Sequence, residues 1–392
     1  MNQPFLNAFP VSSGFRQYSE KTILPRISIS PGVPGATGTP VSSTSLASTP
    51  GSGVPTSTPG TDAPTSTPGA SPDASGAPGP SALPATPDGP VPADLVPSLA
   101  AARADAPRIY ADGCHLDTAT TVSPPCVYGD ASSPTTVVLF GDSHAAQWFP
   151  ALERIATDRG WRLVSLTKSA CTAADVTVWS ATLGRAYAEC DAWRRSAVER
   201  IASERPALVV VSDSRGVRPI VNGETLVGEA AGPALADGLR RTLDELRPLA
   251  AEVAVIGVTP EAPGDPPACL SENPGSVLAC ATPVDRAVDT PWLATEASIA
   301  AEAGASYIDP TRWVCPTGPC PAVIGRFLVY RDTHHLATPF AAALASRLAG
   351  RLPAVGPAAF GPSAAPPAAP EPRPGRVPST RAGVAERQTR PS

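Results

Sequence analysis

The chain is poor in methionine, histidine and aromatic side chains. It has one Met, four His, and 5% Phe, Trp and Tyr among 392 residues. With four histidines and no C-x-x-C spacing there is little from which to build a metal centre, so no metal and no cofactor is expected. Positive charge is in deficit: 30 Lys and Arg stand against 35 Asp and Glu, a net charge of −5. A nucleic-acid binder shows a basic face, so nucleic acid is not an expected partner. No stretch of about 18 apolar residues occurs, so no segment reads as a membrane span. Residues 1–30 contain no apolar h-region, so no signal peptide is read there.

Proline is abundant, with 50 residues. Most of them fall in two stretches, residues 1–106 and 354–392, which are also rich in Ala, Gly, Ser and Thr. The repeat TSTPG occurs twice in the first of these. Such segments bury too little apolar surface to offset chain entropy, so both are expected to be disordered, the first as an extended linker. The final RAGVAERQTRPS resembles an unselected read-through tail. One globular domain is expected over residues 107–353, a size that suits a single α/β core.

All eight cysteines lie in that domain and fall into close neighbours: Cys114 with Cys126, Cys171 with Cys190, Cys269 with Cys280, and Cys315 with Cys320. An even count in local pairs implies four short-range disulfides and an oxidising compartment. Oxidised cysteines require export. Without a leader in residues 1–30, the start lies elsewhere, the chain is the detached end of a longer one, or export takes another route.

Strand and helix signals alternate through the domain. Short β-branched or apolar runs at 135–140, 162–166, 207–212, 252–258 and 306–309 read as strands. Helical spacing or composition marks 145–158, 182–204, 229–247, 293–303 and 336–352, with a Pro-rich loop at 260–290. This order predicts an α/β fold, a three-layer α/β/α sandwich with a mostly parallel sheet.

Two segments carry the chemistry. GDSH at 141–144 directly follows a buried strand and opens a helix. Ser143 then stands at the carboxyl end of the sheet, where α/β folds place their sites, with a helix N-terminus behind it to stabilise an oxyanion. Gly141 permits the tight turn, and Asp142 and His144 flank the serine. Alone, the motif also fits an ordinary helix N-cap. The second segment, YRDTHHLA at 330–337, separates the readings. It sets Asp332 three residues before His335, so the carboxylate can accept from Nδ1 while Nε2 faces the serine hydroxyl. Ser143, His335 and Asp332 are therefore the expected nucleophile, base and acid. Trp148 and Trp193 read as core, and Lys168 and Arg215 as contacts to an acidic glycan or partners of Asp.

These motifs resemble the SGNH (GDSL-like) hydrolase superfamily, and more closely the SGNH domain fused behind membrane-bound acyltransferase family 3 proteins. CVYGD (126–130), VVLFGDSHAAQWFPAL (137–152), TKSAC (167–171), CDAWR (190–194), RPALVVVS (205–212) and YRDTHHL (330–336) carry the likeness in order. The resemblance implies the SGNH/flavodoxin-like fold and the same triad, with no role for His334. It also implies an oxyanion hole from the Ser143 N–H and two further blocks. The segment Lys168, Ser169, Ala170 stands at one. SDSRG (212–216) stands at the other and lacks the usual Asn, leaving Ser212, Ser214 or a backbone N–H. The implied reaction is O-acyl transfer, of an acetyl group, to a surface glycan outside the cytoplasm. The acyl donor would be a family 3 membrane partner or a missing upstream membrane domain. An esterase using the same residues, or a non-catalytic glycan-binding relic, are the alternatives.

Overall fold

The computed structural model describes residues 87–356. The stretches read as disordered at 1–86 and 357–392 lie outside the described residues. Seven strands form the central sheet: β1 (His115–Leu116), β2 (Val127–Gly129), β3 (Thr136–Gly141), β4 (Arg162–Lys168), β5 (Leu208–Ser212), β6 (Glu252–Ile256) and β7 (Ser306–Ile308). Their spatial order is β1-β4-β3-β5-β6-β7, all parallel, with β2 antiparallel against the first residues of β4. The principal helices are α1 (Ser143–Arg159), α2 (Ala188–Glu204), α3 (Gly232–Leu246), α4 (Thr290–Glu302), α5 (Thr338–Ala343) and α6 (Ala345–Ala349).

The three layers follow from the period-2 pleat. Val137, Leu139, Leu208, Val210, Ala254 and Ile256 are buried on one face, together with apolar residues of α1, α5 and α6. Val138, Phe140, Val209, Val211, Val253 and Val255 alternate with them and are buried on the other face with α2, α3 and α4. Each Val, Leu, Ile or Phe among them contributes on the order of 1.5–3 kcal/mol by leaving water. Both faces are covered, which is why these strands read as continuous apolar runs. Trp148 and Trp193 are buried, one in each layer.

The chain runs from β3 to β4 on one side, then returns to place β5 on the other side of β3. That reversal makes the carboxyl ends of β3 and β5 the switch point of the sheet, where the diverging loops leave a crevice. Ser143 follows β3 there.

All four disulfides join the neighbouring cysteines: 114–126, 171–190, 269–280 and 315–320. The first ties the segment before β1 to the start of β2, and the second ties the loop after β4 to α2.

Several elements depart from the sequence reading. The globular part begins before residue 107. Leu95 and Ala102 are buried in a small cluster with Leu270, Val277, Val323 and Leu328, and Val96 pairs with Phe327. Val91 and Leu99 pack against the same cluster, and Val91 and Val96 make backbone hydrogen bonds to Pro274 and Arg326; a composition averaged over about a hundred residues hides these few contacts. The helix read over 182–204 starts only at Ala188, because a small hairpin pairs Trp179 with Ala186. The Pro-rich loop holds short helices at Pro266–Glu272 and Val284–Ala287. The last helix is two pieces, offset at Leu344, whose ψ of −5° departs from the helical value.

Candidate active site

Gly141 ends β3 with φ +147°, and a Cβ there would lie 2.1 Å from the Ser212 carbonyl oxygen and 3.0 Å from the Ala145 side chain. Only glycine lets β3 pass β5 this closely and still turn into α1. Asp142 is the N-cap of α1. Its Oδ1 accepts from the His144 N–H at 2.7 Å and its Oδ2 accepts from the Ser214 N–H at 3.0 Å. Asp213, from the loop after β5, accepts from the Ala173 N–H at 2.8 Å and from the Asp142 N–H. Burial raises both carboxyls, and for Asp142 the neighbouring Asp213 charge adds to it. The two acids thus lock the turn before Ser143 to the β4 and β5 loops. Ser143 is the first residue of α1 and is half-buried, with its backbone N–H at the positive end of the helix.

The second segment folds back over this turn. Tyr330 and Leu336 bridge antiparallel, and the Arg331 N–H donates to the His335 carbonyl, closing 331–335 into a tight loop. Within it the His335 Nδ1 donates to Asp332 Oδ2 at 2.8 Å, and Asp332 Oδ1 accepts from the His334 and His335 N–H groups at 3.0 and 2.8 Å. Burial works to raise the Asp332 carboxyl, but the hydrogen bond and charge of His335 and the two backbone donors outweigh it and hold it below the usual carboxylate range. Burial lowers His335, and the Asp332 carboxylate only partly opposes this. A neutral ring that donates from Nδ1 carries its lone pair on Nε2. That Nε2 is buried without a hydrogen-bond partner.

Gln147 joins the two segments. It lies one turn after Ser143 on α1 and is 1% exposed. Its Oε1 accepts from the Leu336 N–H at 2.8 Å, and its Nε2 donates to Thr259 Oγ1 at 3.3 Å. On the far side Arg331 donates to the Asp105 carbonyl at 2.8 Å and to the Tyr110 hydroxyl at 3.3 Å, with its Nε 3.7 Å from Asp332 Oδ2. Asp105 also accepts from the Thr338 N–H at the start of α5. Gln147, Asp213, Arg331 and Asp105 were not singled out from sequence. Gln147 alone carried a signal, its i, i+4 spacing from the serine on one helix face.

The expected oxyanion donors fare unequally. The Ser143 N–H lies at the start of α1. Lys168 is not available: its buried ammonium donates to the Asp117 and Thr120 carbonyls at 2.5 and 2.6 Å, because β1 pairs with β4 and brings loop 117–120 over it. Ser169 is also engaged, its N–H on the Leu116 carbonyl and its Oγ 3.1 Å from His115 Nε2. Ala170 follows at φ +52°, in the left-handed region. Ser212 is buried in the sheet ladder beside Gly141. The Ser214 N–H is taken by Asp142, while its Oγ accepts from the Gly216 N–H at 3.0 Å. Arg215 pairs with Asp289 at 3.7 Å and stacks over Trp292 at 4.6 Å.

His144 and His334 gather beside His335. Ring centroids lie 5.5 Å apart for His144 and His334, 5.3 Å for His144 and His335, and 4.0 Å for His334 and His335. Next to them runs a groove of about 640 Å³ whose lining includes Arg215, Thr259, Glu261, Arg286, Asp289 and Leu293. Thr259, the partner of Gln147, is its wall on the site side.

The domain is a doubly wound α/β fold with a serine at the start of α1, and an Asp–His pair in a loop bonded to that helix through Gln147. The family model described as "SGNH domain (fused to AT3 domains)" matches residues 113–350, and the chain belongs to that family. No curated protein matches the chain. Among solved structures, the periplasmic domain of a lipopolysaccharide acetyltransferase from Salmonella ser. Paratyphi A is similar at 17% identity and TM-score 0.45, covering 62% of this chain and 86% of that one. TesA is similar at 16% identity and TM-score 0.30, over 56% of this chain and 100% of that one. An acetyl-xylooligosaccharide esterase variant from Geobacillus is similar at 13% identity and TM-score 0.33, over 56% and 94%.

Proposed function

We propose that the domain transfers an acyl group through an acyl-serine on Ser143 to a hydroxyl of a glycan outside the cytoplasm. The observation that carries this reading is the Asp332–His335 pair at 2.8 Å, with its unpartnered Nε2, in a loop that Gln147 bonds to the helix Ser143 opens. His335 Nε2 takes the Ser143 proton as Oγ attacks the acyl carbonyl. Asp332 holds the tautomer and steadies the imidazolium. The tetrahedral oxyanion is met by the Ser143 N–H at the start of α1, with the Ala170 N–H and the Ser214 hydroxyl as the remaining donors. His335 returns the proton to the leaving group, and the acyl-serine remains. An acceptor hydroxyl then gives its proton to His335 as it attacks the acyl carbonyl, and His335 passes that proton to the departing Ser143 Oγ, which regenerates the enzyme. Water as acceptor gives ester hydrolysis by the same steps.

The groove beside the site supports a polyhydroxyl acceptor. Arginine and carboxylate side chains in its lining can donate to and accept from sugar hydroxyls. The family's fusion to membrane acyltransferase domains supports a donor delivered from the membrane, of acetyl size, by such a partner or by a further part of the same protein. Four disulfides support an oxidising compartment. Among the described residues no helix is long and apolar enough to cross a membrane.

The test uses the oxidised protein with a fluorophosphonate probe and a chromogenic acetyl ester, beside Ser143→Ala. Labelling and turnover that vanish in the variant are expected. A folded wild-type chain that neither labels nor turns over would overturn the reading in favour of a non-catalytic binding domain.

A further inference from the structure

The three histidines gathered at the site share one arrangement. His335 Nδ1 donates to Asp332 Oδ2 at 2.8 Å, His334 Nδ1 lies 2.8 Å from Thr333 Oγ1, and His144 Nδ1 lies 3.5 Å from Thr259 Oγ1. In each ring the Nδ1 side is turned to a protein oxygen and the Nε2 side is left over. Metal-binding histidines are oriented in this way, with the second nitrogen held by a carboxylate or another oxygen. His144 is 1% exposed. Its Nε2 and that of His335 are both buried with no partner. A buried imidazole nitrogen without a hydrogen bond loses the stabilisation that water would supply, so two of them on rings 5.3 Å apart mark a place that a ligand would complete. One ring nitrogen from each of the three residues lies within 4.8 Å of the others. Tetrahedral zinc needs nitrogen atoms about 3.3 Å apart, from bonds of about 2.0–2.1 Å. His334, with its side chain 41% exposed, is the least buried of the three, and a small turn of its ring would close that difference.

We propose that His144, His334 and His335 form a binding site for a divalent transition cation of the zinc class, and that its occupation reversibly switches off the serine chemistry. Neutral imidazoles suit zinc, copper and nickel, and the set lacks the oxygen donors that calcium or magnesium would require. Three protein nitrogens leave a fourth position for water. The switch rests on the proposed role of His335, since the lone pair that would accept the Ser143 proton is the one the cation occupies. Both cannot be served together, so cation and acyl donor compete.

The experiment titrates the oxidised, chelator-stripped full chain with cobalt(II), read by the visible absorption of tetrahedral cobalt–imidazole sites, and then with zinc(II). Wild type and Ser143→Ala are each expected to take up one equivalent. His334→Ala, which removes the exposed ligand, should bind at least about tenfold more weakly. Saturating zinc should lower wild-type ester turnover by about tenfold or more, with recovery on chelation. Turnover of His334→Ala in chelator should stay within about twofold of wild type, while its zinc inhibition shifts to about tenfold higher concentration. Absence of stoichiometric cobalt uptake, or uptake unchanged in His334→Ala, refutes the site. Uptake without inhibition refutes the switch. If the stripped wild type has no turnover at all, the acyl-serine reading fails, while the cobalt titration still decides the site.

Discussion

Gln147 hydrogen-bonds α1, which opens with the proposed nucleophile, to the loop bearing the proposed acid and base, and replacing it separates positioning from stability. In Gln147→Met the shape is nearly kept and both polar contacts go. The Leu336 N–H, now held at 2.8 Å, is left buried without an acceptor, a cost of about 1–3 kcal/mol. The weaker bond to Thr259 at 3.3 Å adds about 1 kcal/mol. A loss of about 2–4 kcal/mol in a domain of this size lowers Tm by about 5–15 °C. Stability alone would not change the rate of molecules that stay folded. The released loop, however, carries His335, and a misplacement of about 1 Å costs about a hundredfold in rate. The assay is kcat and KM for a small acetyl ester well below Tm, in metal-free buffer. A fall in kcat of about ten- to a hundredfold with KM little changed is expected, and Gln147→Glu, which keeps an acceptor for Leu336, should retain more activity than Gln147→Met. A Gln147→Met enzyme with wild-type kcat and Tm would refute the idea that this contact positions the base.

Three further outcomes follow from the geometry. Asp332→Asn leaves the loop able to accept its backbone N–H bonds but removes the carboxylate that holds the His335 tautomer. Its kcat should fall by about 10³–10⁴-fold with Tm within a few degrees, and an active Asp332→Asn would remove the acid from the mechanism. Gly141→Ala sets a Cβ against the Ser212 carbonyl at 2.1 Å. Adding backbone strain to that clash, it should cost more than about 3 kcal/mol or prevent folding, and a urea midpoint equal to wild type would contradict the turn described. His115 is lowered from 6.5 to about 3, mainly by burial, with the charges of His335, Arg331 and Lys168 acting in the same sense. The fold keeps it neutral while the unfolded chain protonates, so its contribution is full above 6.5 and is lost progressively as pH falls. Near pH 5 one such histidine costs about 2 kcal/mol relative to neutral pH. In His115→Gln, urea unfolding at the two pH values should therefore differ by about 2 kcal/mol less than in wild type, and an unchanged difference would show that His115 titrates normally.

Features set by near neighbours in the chain were legible before any coordinates. The strands showed as apolar runs because both faces of the sheet are covered, and alternate side chains of one run such as 208–212 serve opposite layers. The disulfides showed as local pairs because their loops span only 5 to 19 residues. Asp332 and His335 showed as a pair because three residues of loop bring a carboxylate back onto Nδ1. Gly141 showed because a strand that turns at once into a helix needs a residue without a side chain.

What depends on pairing distant segments was settled by the tertiary structure. The family resemblance set Lys168 at an oxyanion block, until the register of β1 against β4 set the 117–120 carbonyls over its ammonium. Residues 87–106 looked like linker, until Leu95 and Ala102 found a cluster drawn from residues 270–328. Gln147 looked like one polar residue in a helix, until Leu336, 189 positions away, supplied the N–H that explains it. His334 looked incidental for the same reason, since its neighbour His144 comes from the far end of the domain sequence. The sequence by itself determined five of the six parallel strands, the cysteine pairs and the Asp332–His335 pair, because local pattern and spacing encode each of these, whereas β1 and β2 did not show and were placed only by pairing with β4. Only the fold decided which polar atoms those groups meet, because register and loop packing between remote segments decide which hydrogen bonds are already taken and which nitrogens remain open.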